Sequence, residues 1–423
     1  MFDLDRIYDV LEIFLTYPLC VLCQLISQKV LDLLYPSSNR TPHQSDQAHC
    51  YQVLYDFKKL LHYARPNGIQ FFLLKYKEMR NISHVMKEDD VTLYNVTPQQ
   101  FQFVRVVAGV DLRDIIRHPF TCMTSHRHAV EVLIMSHEQG YKYLGGRGDE
   151  NASGHNIVLL HNTGRCGSTL LANMVHRTEE FHVISEPYSL TALSVRISKQ
   201  TDKTPLDCEE NHELLRATLL FLCKDPDKKY LIKVTGIFTG SLLHLTNKAL
   251  PGIRDIFLHR SLLATVSSWH KILGPLRFTG IAEYGKTFLP LKYRRIWQKV
   301  KPSRSYQEFM FIILCQMHPY FIECENGRNL RAFSYEYLRT NQEDFCVNLL
   351  SELGLEKKYV SLALSALDVD SQENSPLKKF NVDKNRTINV PGEALDWIVR
   401  IGQEEFGMEI GRKDGFVKNM PNS

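Results

Sequence analysis

Asn156-Ile-Val-Leu-Leu-His161, then Asn162-Thr-Gly-Arg-Cys-Gly-Ser-Thr169, then Leu170-Leu-Ala-Asn-Met-Val175: this stretch decides how the chain folds. The first part is a short continuous apolar run, the pattern of a strand buried on both faces of a parallel sheet. The last part reads as a helix. A strand, a glycine-containing turn and a helix in direct succession aim backbone N–H groups and the positive helix end at one point, where an anion is stabilised. Gly164 and Gly167 let the backbone approach closely, Ser168 and Thr169 offer hydroxyl groups, and Arg165 supplies a permanent charge. Cys166 lies between them. The plainer alternative is a tight turn that merely opens a helix, but it leaves the convergence of polar residues without a purpose.

The charge pattern narrows the anion. A nucleoside-triphosphatase loop carries Lys immediately before its Ser or Thr, and a later strand ends in an acid that organises magnesium. Here Gly167 precedes Ser168, and the cation stands at Arg165. The best later strand, Ile253-Arg-Asp-Ile-Phe-Leu-His-Arg260, ends in His259 and Arg260. Cations where an acid is needed point to a nucleotide without a metal-bridged triphosphate. After Arg260 the chain runs Ser-Leu-Leu-Ala-Thr-Val-Ser-Ser268, so a serine follows the arginine two helical turns on, spaced to grip one phosphate from two sides.

These residues resemble the sulfotransferase family, whose donor is 3′-phosphoadenosine 5′-phosphosulfate. Thr163-Gly-Arg-Cys-Gly-Ser-Thr-Leu-Leu171 is similar to the family's 5′-phosphosulfate loop, in the Arg form common among carbohydrate and protein sulfotransferases. Arg260 and Ser268 stand where the family contacts the 3′-phosphate. Asn329 to Leu355 is similar to its late strand, its Tyr-Glu-Asp-Leu turn and the following helix, with Tyr335 and Glu336 in the turn and Tyr337 in place of Asp. The resemblance covers about residues 155 to 406. It implies an α/β fold, a parallel sheet flanked by helices with a P-loop-like phosphosulfate-binding loop, and 3′-phosphoadenosine 5′-phosphosulfate as co-substrate with no metal. Gly164 to Thr169, Arg260 and Ser268 are then the nucleotide site.

The resemblance also suggests catalytic groups. Lys233 ends the apolar run Tyr230-Leu-Ile-Lys-Val234, where the family often has a lysine; a solvated strand end is the alternative. Cytosolic members place a base His two residues later, and this chain has Thr235. Glu186, in Phe181-His-Val-Ile-Ser-Glu-Pro187, is the substitute base, unless it caps the helix that begins near Pro187. His161, His182 and His259 read as core histidines. Lys378-Lys379 and Lys384-Asn-Arg386 fall in a loop before the last helix, and Arg386 is the candidate for the family's cationic cover over the 3′-phosphate. Lys292, Arg295 and Lys299 share a helix face, solvated by default.

Outside these motifs the chain is less specific. Residues 1–150 are expected to form a mainly helical amino-terminal region, with 151–423 the nucleotide-binding domain. Helical spacing is read at Tyr51, Leu54, Tyr55 and Lys58, and apolar segments at Phe101 to Val107 and Ala129 to Met135. The glycines of Gly145 to Gly154 mark the boundary. Ile13 to Ser27 is apolar but shorter than the roughly 20 residues that span a bilayer. The residues before it are acidic (Asp3, Asp5, Asp9, Glu12), so it reads as a packed amphipathic helix, with membrane association the alternative. The cytoplasm and a Golgi membrane both stay open. A net charge of +4, from 51 basic and 47 acidic residues, is too even for a general nucleic-acid binder. Cys20-Val-Leu-Cys23 and His126-Arg-His128 lack the partners a zinc site needs. The acceptor is a hydroxyl or amine of unread identity. The other readings are a P-loop small-molecule kinase and a sulfotransferase-like protein that binds nucleotide without turnover.

Overall fold

The computed structural model describes residues 22–29, 46–56, 69, 71–147, 153–198, 207–236, 240–272, 289–371 and 388–421. They build two five-stranded sheets with helices packed against them. The amino-terminal sheet contains β1 (Gln47–Asp56), β2 (Phe72–Asn81), β3 (Val91–Val96), β4 (Gln100–Val106) and, after the short helix α1 (Thr121–Arg127), β5 (Ala129–Ser136). Its order is β2-β1-β5-β4-β3, all antiparallel.

This corrects the helical reading of residues 50 to 140. Phe101, Phe103, Val104, Val106, Val132 and Ile134 are aromatic or β-branched, types that fit a pleated surface. The pairing of β1 with β2 shifts register between Cys50 and Tyr51 and again between Val53 and Tyr55. Two such bulges break the period of two, and the surviving apolar positions imitate helical spacing.

The second sheet is parallel, as the apolar runs predict. Its strands are β6 (Ile157–Asn162), β7 (His182–Ser185), β8 (Tyr230–Lys233), β9 (Arg254–His259) and β10 (Arg331–Ser334), in the order β10-β9-β6-β8-β7. Every residue of β6 and β8 is buried, because helices cover both faces. On one face Val158, Leu160, Ile256 and Leu258 pack against Leu171, Met174 and Val175 of α2 (Ser168–His176). On the other, α3 (Tyr188–Ser198) and α4 (Glu209–Leu222) bring Leu190, Leu214 and Phe221 against Leu159 and Ile232. That same cluster takes in Ala48, Phe101, Phe103, Leu133 and Met135 of the first sheet. Successive strands are added first to one side of β6 and then to the other. The order therefore opens a crevice at the carboxyl ends of β6 and β9, where such sheets hold ligands.

Residues 22–29 are helical and lie along the outer edge of β2. Gln24 Nε2 donates to the Phe72 carbonyl at 3.1 Å. Gln28 Nε2 donates to the Leu74 carbonyl, and Gln28 Oε1 accepts from the Leu74 N–H, both at 3.0 Å. Leu22, Leu25 and Ile26 face outward. No helix among the described residues is long and apolar enough to cross a membrane.

Candidate active site

The loop after β6 is held open by its own backbone. Asn162 accepts from the Gly164 N–H at 3.0 Å through Oδ1, and its Nδ2 donates to the Val234 carbonyl at 2.7 Å. Gly164, Arg165 and Gly167 all have positive φ, at 72°, 51° and 86°. At Arg165 that conformation costs on the order of 1 kcal/mol or more, a strain that persists only where surrounding contacts impose it. Gly167 caps α2 without a side-chain hydrogen bond of its own, as a glycine must.

A neighbouring glycine is as tightly placed. A Cβ on Gly236 would lie 2.4 Å from the Gly164 nitrogen and 2.5 Å from Asn162 Oδ1. Gly236→Ala must push the loop itself, because the obstacle is backbone. If the loop cradles a nucleotide, the substitution weakens its binding by at least about 100-fold, measured by titration calorimetry, while far-ultraviolet dichroism stays near wild type.

Arg165 links Ser268 and Arg260. Arg165 Nε donates to Ser268 Oγ at 3.1 Å, and Arg260 Nη1 donates to the Arg165 carbonyl at 3.1 Å. Ser268 lies on α5, the helix of residues 262–272 that follows β9. The Arg260 guanidinium stacks on the Tyr335 ring, 4.6 Å from its centroid. Tyr335 also lies against Gly167, where a Cβ would come within 2.5 Å of the ring. Among the described residues neither arginine makes an ion pair. Burial first, and then the charge of Arg260, pull the Arg165 guanidinium below its ordinary pKa. Two neighbouring guanidinium groups that make no ion pair keep N–H donors that suit an anion. Cys166 is buried and its thiol is pushed upward by that burial, so it belongs to the core beneath the loop.

The second group of residues sits beside this one. Lys233 is 1% exposed, which removes the solvated strand-end reading. Its Nζ donates to Thr169 Oγ1 at 2.9 Å and pairs with Glu186 Oε1 at 2.7 Å. Glu186 directly follows β7 with φ 53°, and its N–H donates to the Lys233 carbonyl at 2.7 Å. Glu186 is thus the counter-ion of Lys233, a reading the sequence did not offer. Thr235 is bonded to Thr191 of α3 at 2.9 Å between hydroxyl oxygens.

Of the three histidines expected in the core, His161 and His259 are buried, whereas His182 is only half-buried, edge-on to Tyr230. His161 Nε2 lies 2.6 Å from Asp255 Oδ1, and Asp255 in turn is paired with Arg328. His259 is buried against Phe416 and pushed down to about 4 by burial, so it is neutral. His126 is also interior, between Tyr94 and Asp56. Lys299 pairs with Glu405 at 2.5 Å, a surface role. Among the described residues no cluster of His, Cys, Asp or Glu is arranged to hold a metal. Arg386 lies outside the described residues, as do Lys378, Lys379 and Lys384.

Sequence reasoning missed Gly236. It carried one readable signal, a glycine just past a strand end.

No protein-family model matches the chain, and a search of curated proteins finds no match. Among solved structures, the chain is similar to a sulfotransferase domain from the curacin biosynthetic pathway at 13% identity and TM-score 0.37, covering 59% of this chain and 96% of that one. A retinol dehydratase solved with retinol and PAP matches at 11% identity and TM-score 0.34, over 66% and 89% of the two chains. A sulfotransferase from Alicyclobacillus acidocaldarius matches at 11% identity and TM-score 0.33, over 59% and 96%.

Proposed function

We propose that this protein is a sulfotransferase that moves a sulfuryl group from 3′-phosphoadenosine 5′-phosphosulfate to a hydroxyl or amine of an acceptor. The observation that carries this reading is the pairing of Arg165 with Ser268 and Arg260 at the carboxyl ends of β6 and β9. Two cationic groups there suit a nucleotide with phosphates at both its 5′ and 3′ positions. The 5′ end would rest on Gly164 to Thr169 and the 3′-phosphate on Arg260 and Ser268.

In the reaction the acceptor oxygen or nitrogen bonds to sulfur as the bond from sulfur to the phosphate oxygen breaks in line. Charge grows on that phosphate, where Arg165 and Lys233 would stabilise it. The acceptor's proton would leave to Glu186. One observation favours the alternative of binding without turnover: Glu186 Oε1 is already on Lys233.

Titration calorimetry with adenosine 3′,5′-bisphosphate and with magnesium-ATP tests the class. The bisphosphate should bind without metal and the triphosphate weakly; a preference for magnesium-ATP means a kinase. Arg260→Ala should weaken 3′-phosphorylated nucleotides by ~1.5–3 kcal/mol, the scale of a charge-assisted hydrogen bond. It should scarcely touch adenosine 5′-phosphosulfate, which lacks that phosphate. Equal losses for both nucleotides would remove Arg260 from the 3′ site. Mass-spectrometric screening of acceptor pools with the donor then identifies what is sulfated.

A further inference from the structure

The amino-terminal sheet carries no motif, yet it reaches the candidate active site. The turn Pro119–Thr121, which leads into α1, lies against the ends of β7 and β8. Ser185 N–H donates to Thr121 Oγ1 at 3.1 Å, and Ser185 Oγ donates to the Pro119 carbonyl at 2.6 Å. Ser185 is the residue before Glu186. Between those two bonds sits Phe120, with the Lys233 Nζ 5.1 Å from its ring centroid.

The turn is held from behind by three strands of the sheet. His126 of α1 bonds through Nδ1 to Tyr94 Oη of β3 at 2.8 Å and through Nε2 to Asp56 Oδ1 of β1 at 3.2 Å. Phe72 of β2 stacks on the same imidazole at 4.5 Å. Asp56, Tyr94 and His126 are all buried. Tyr94 also touches Tyr188, at the start of α3, with ring centroids 5.4 Å apart.

We propose that Phe120 is a positioning residue of the transferase: its ring covers the Lys233 ammonium and holds it between Thr169 and Glu186, so the amino-terminal sheet is a working part of the site. An ammonium has three N–H groups, and Thr169 and Glu186 engage two directions. The aromatic face beside them attracts the ammonium and keeps water from it, which a saturated side chain of similar size does only in part, and the third N–H is left for a ligand. Lys233 therefore stays directed at the loop because a residue far away in the sequence packs beside its ammonium. This rests on the sulfotransferase reading, since it takes Lys233 to act on the bound nucleotide.

The test is a double-mutant cycle read by calorimetric binding of adenosine 3′,5′-bisphosphate to the full chain. Phe120→Leu keeps most of the volume and removes the aromatic face; Phe120→Tyr keeps the face. Lys233→Met removes the charge. The expected result is that Phe120→Leu weakens binding by roughly 5- to 30-fold, the range a desolvated cation–π contact covers. Phe120→Tyr should stay within about 3-fold of wild type, and Phe120→Leu should have no further effect once Lys233 is Met.

Equal losses for Leu and Tyr, or the same loss in the Lys233→Met background, would mean that Phe120 only fills space, and the proposal falls. It falls also if Phe120→Leu leaves binding unchanged while Lys233→Met weakens it. Wild-type protein that does not bind the bisphosphate at all defeats the sulfotransferase reading instead, so the two failures are distinguishable.

Discussion

Arg165→Ala is expected to lower turnover by roughly 10²- to 10³-fold, the loss seen when one preorganised donor is taken from a developing anion. Its effect on adenosine 3′,5′-bisphosphate affinity should be less than about tenfold. The contrast follows from what the guanidinium meets: its strongest partner is the charge on the departing phosphate oxygen, which is larger in the transition state than in the bound donor. The site makes the loss steep. Burial and Arg260 already disfavour the Arg165 cation, so an incoming anion gains a partner with few competing bonds. Arg165→Lys should retain part of the rate, because lysine brings the charge without the planar fork. Comparing kcat with bisphosphate affinity for the two variants checks this. Turnover unchanged in Arg165→Ala would show that sulfur is not transferred at this loop.

The second large effect is expected at Glu186. Glu186→Gln should reduce turnover by roughly 10²- to 10⁴-fold if the carboxylate accepts the acceptor's proton. The ion pair with Lys233 changes how stability is read. Removing one partner of a fully buried pair destabilises by about 3–5 kcal/mol; here Lys233 is buried and Glu186 only partly, which makes that an upper bound. Glutamine keeps a carbonyl oxygen for the Lys233 ammonium, so the fall in melting temperature should be smaller than that, and it should occur whether Glu186 is a base or only a counter-ion. Turnover decides between the roles. A Glu186→Gln protein that melts lower but still transfers sulfur would retire the base and leave Glu186 as the anchor of Lys233. Donor affinity nearly intact, with turnover lost, is the outcome the base assignment requires.

The parts legible in the sequence were those whose cause is local. The run from Asn156 to Val175 dictates its strand, turn and helix through burial, glycine geometry and helical spacing. Each of these acts over a few residues. The positions of Arg260 just after a strand and of Ser268 on the following helix were legible for the same reason, being set by one strand end and one helix. What the sequence concealed depends on distant neighbours. Lys233 reads as the polar end of an apolar run, and only the approach of Phe120, Thr169 and Glu186 from other elements makes it buried. The amino-terminal sheet was hidden by its bulges, which erased the alternation that announces a strand. Gly236 looked like any turn glycine until the loop it touches was in place.

The glutamine pair beside β2 bears on the solubility of the chain. A helix advances about 6.0 Å in four residues and a strand about 6.6 Å in two, so Gln24 and Gln28 stand nearly in step with Phe72 and Leu74. Their amides act as a short counterfeit strand. A foreign chain that tried to extend the sheet at this border would find the carbonyls of Phe72 and Leu74 and the Leu74 N–H already engaged. A protein trimmed to begin after residue 45 would offer that border bare, and sheet-to-sheet association would be its natural fate.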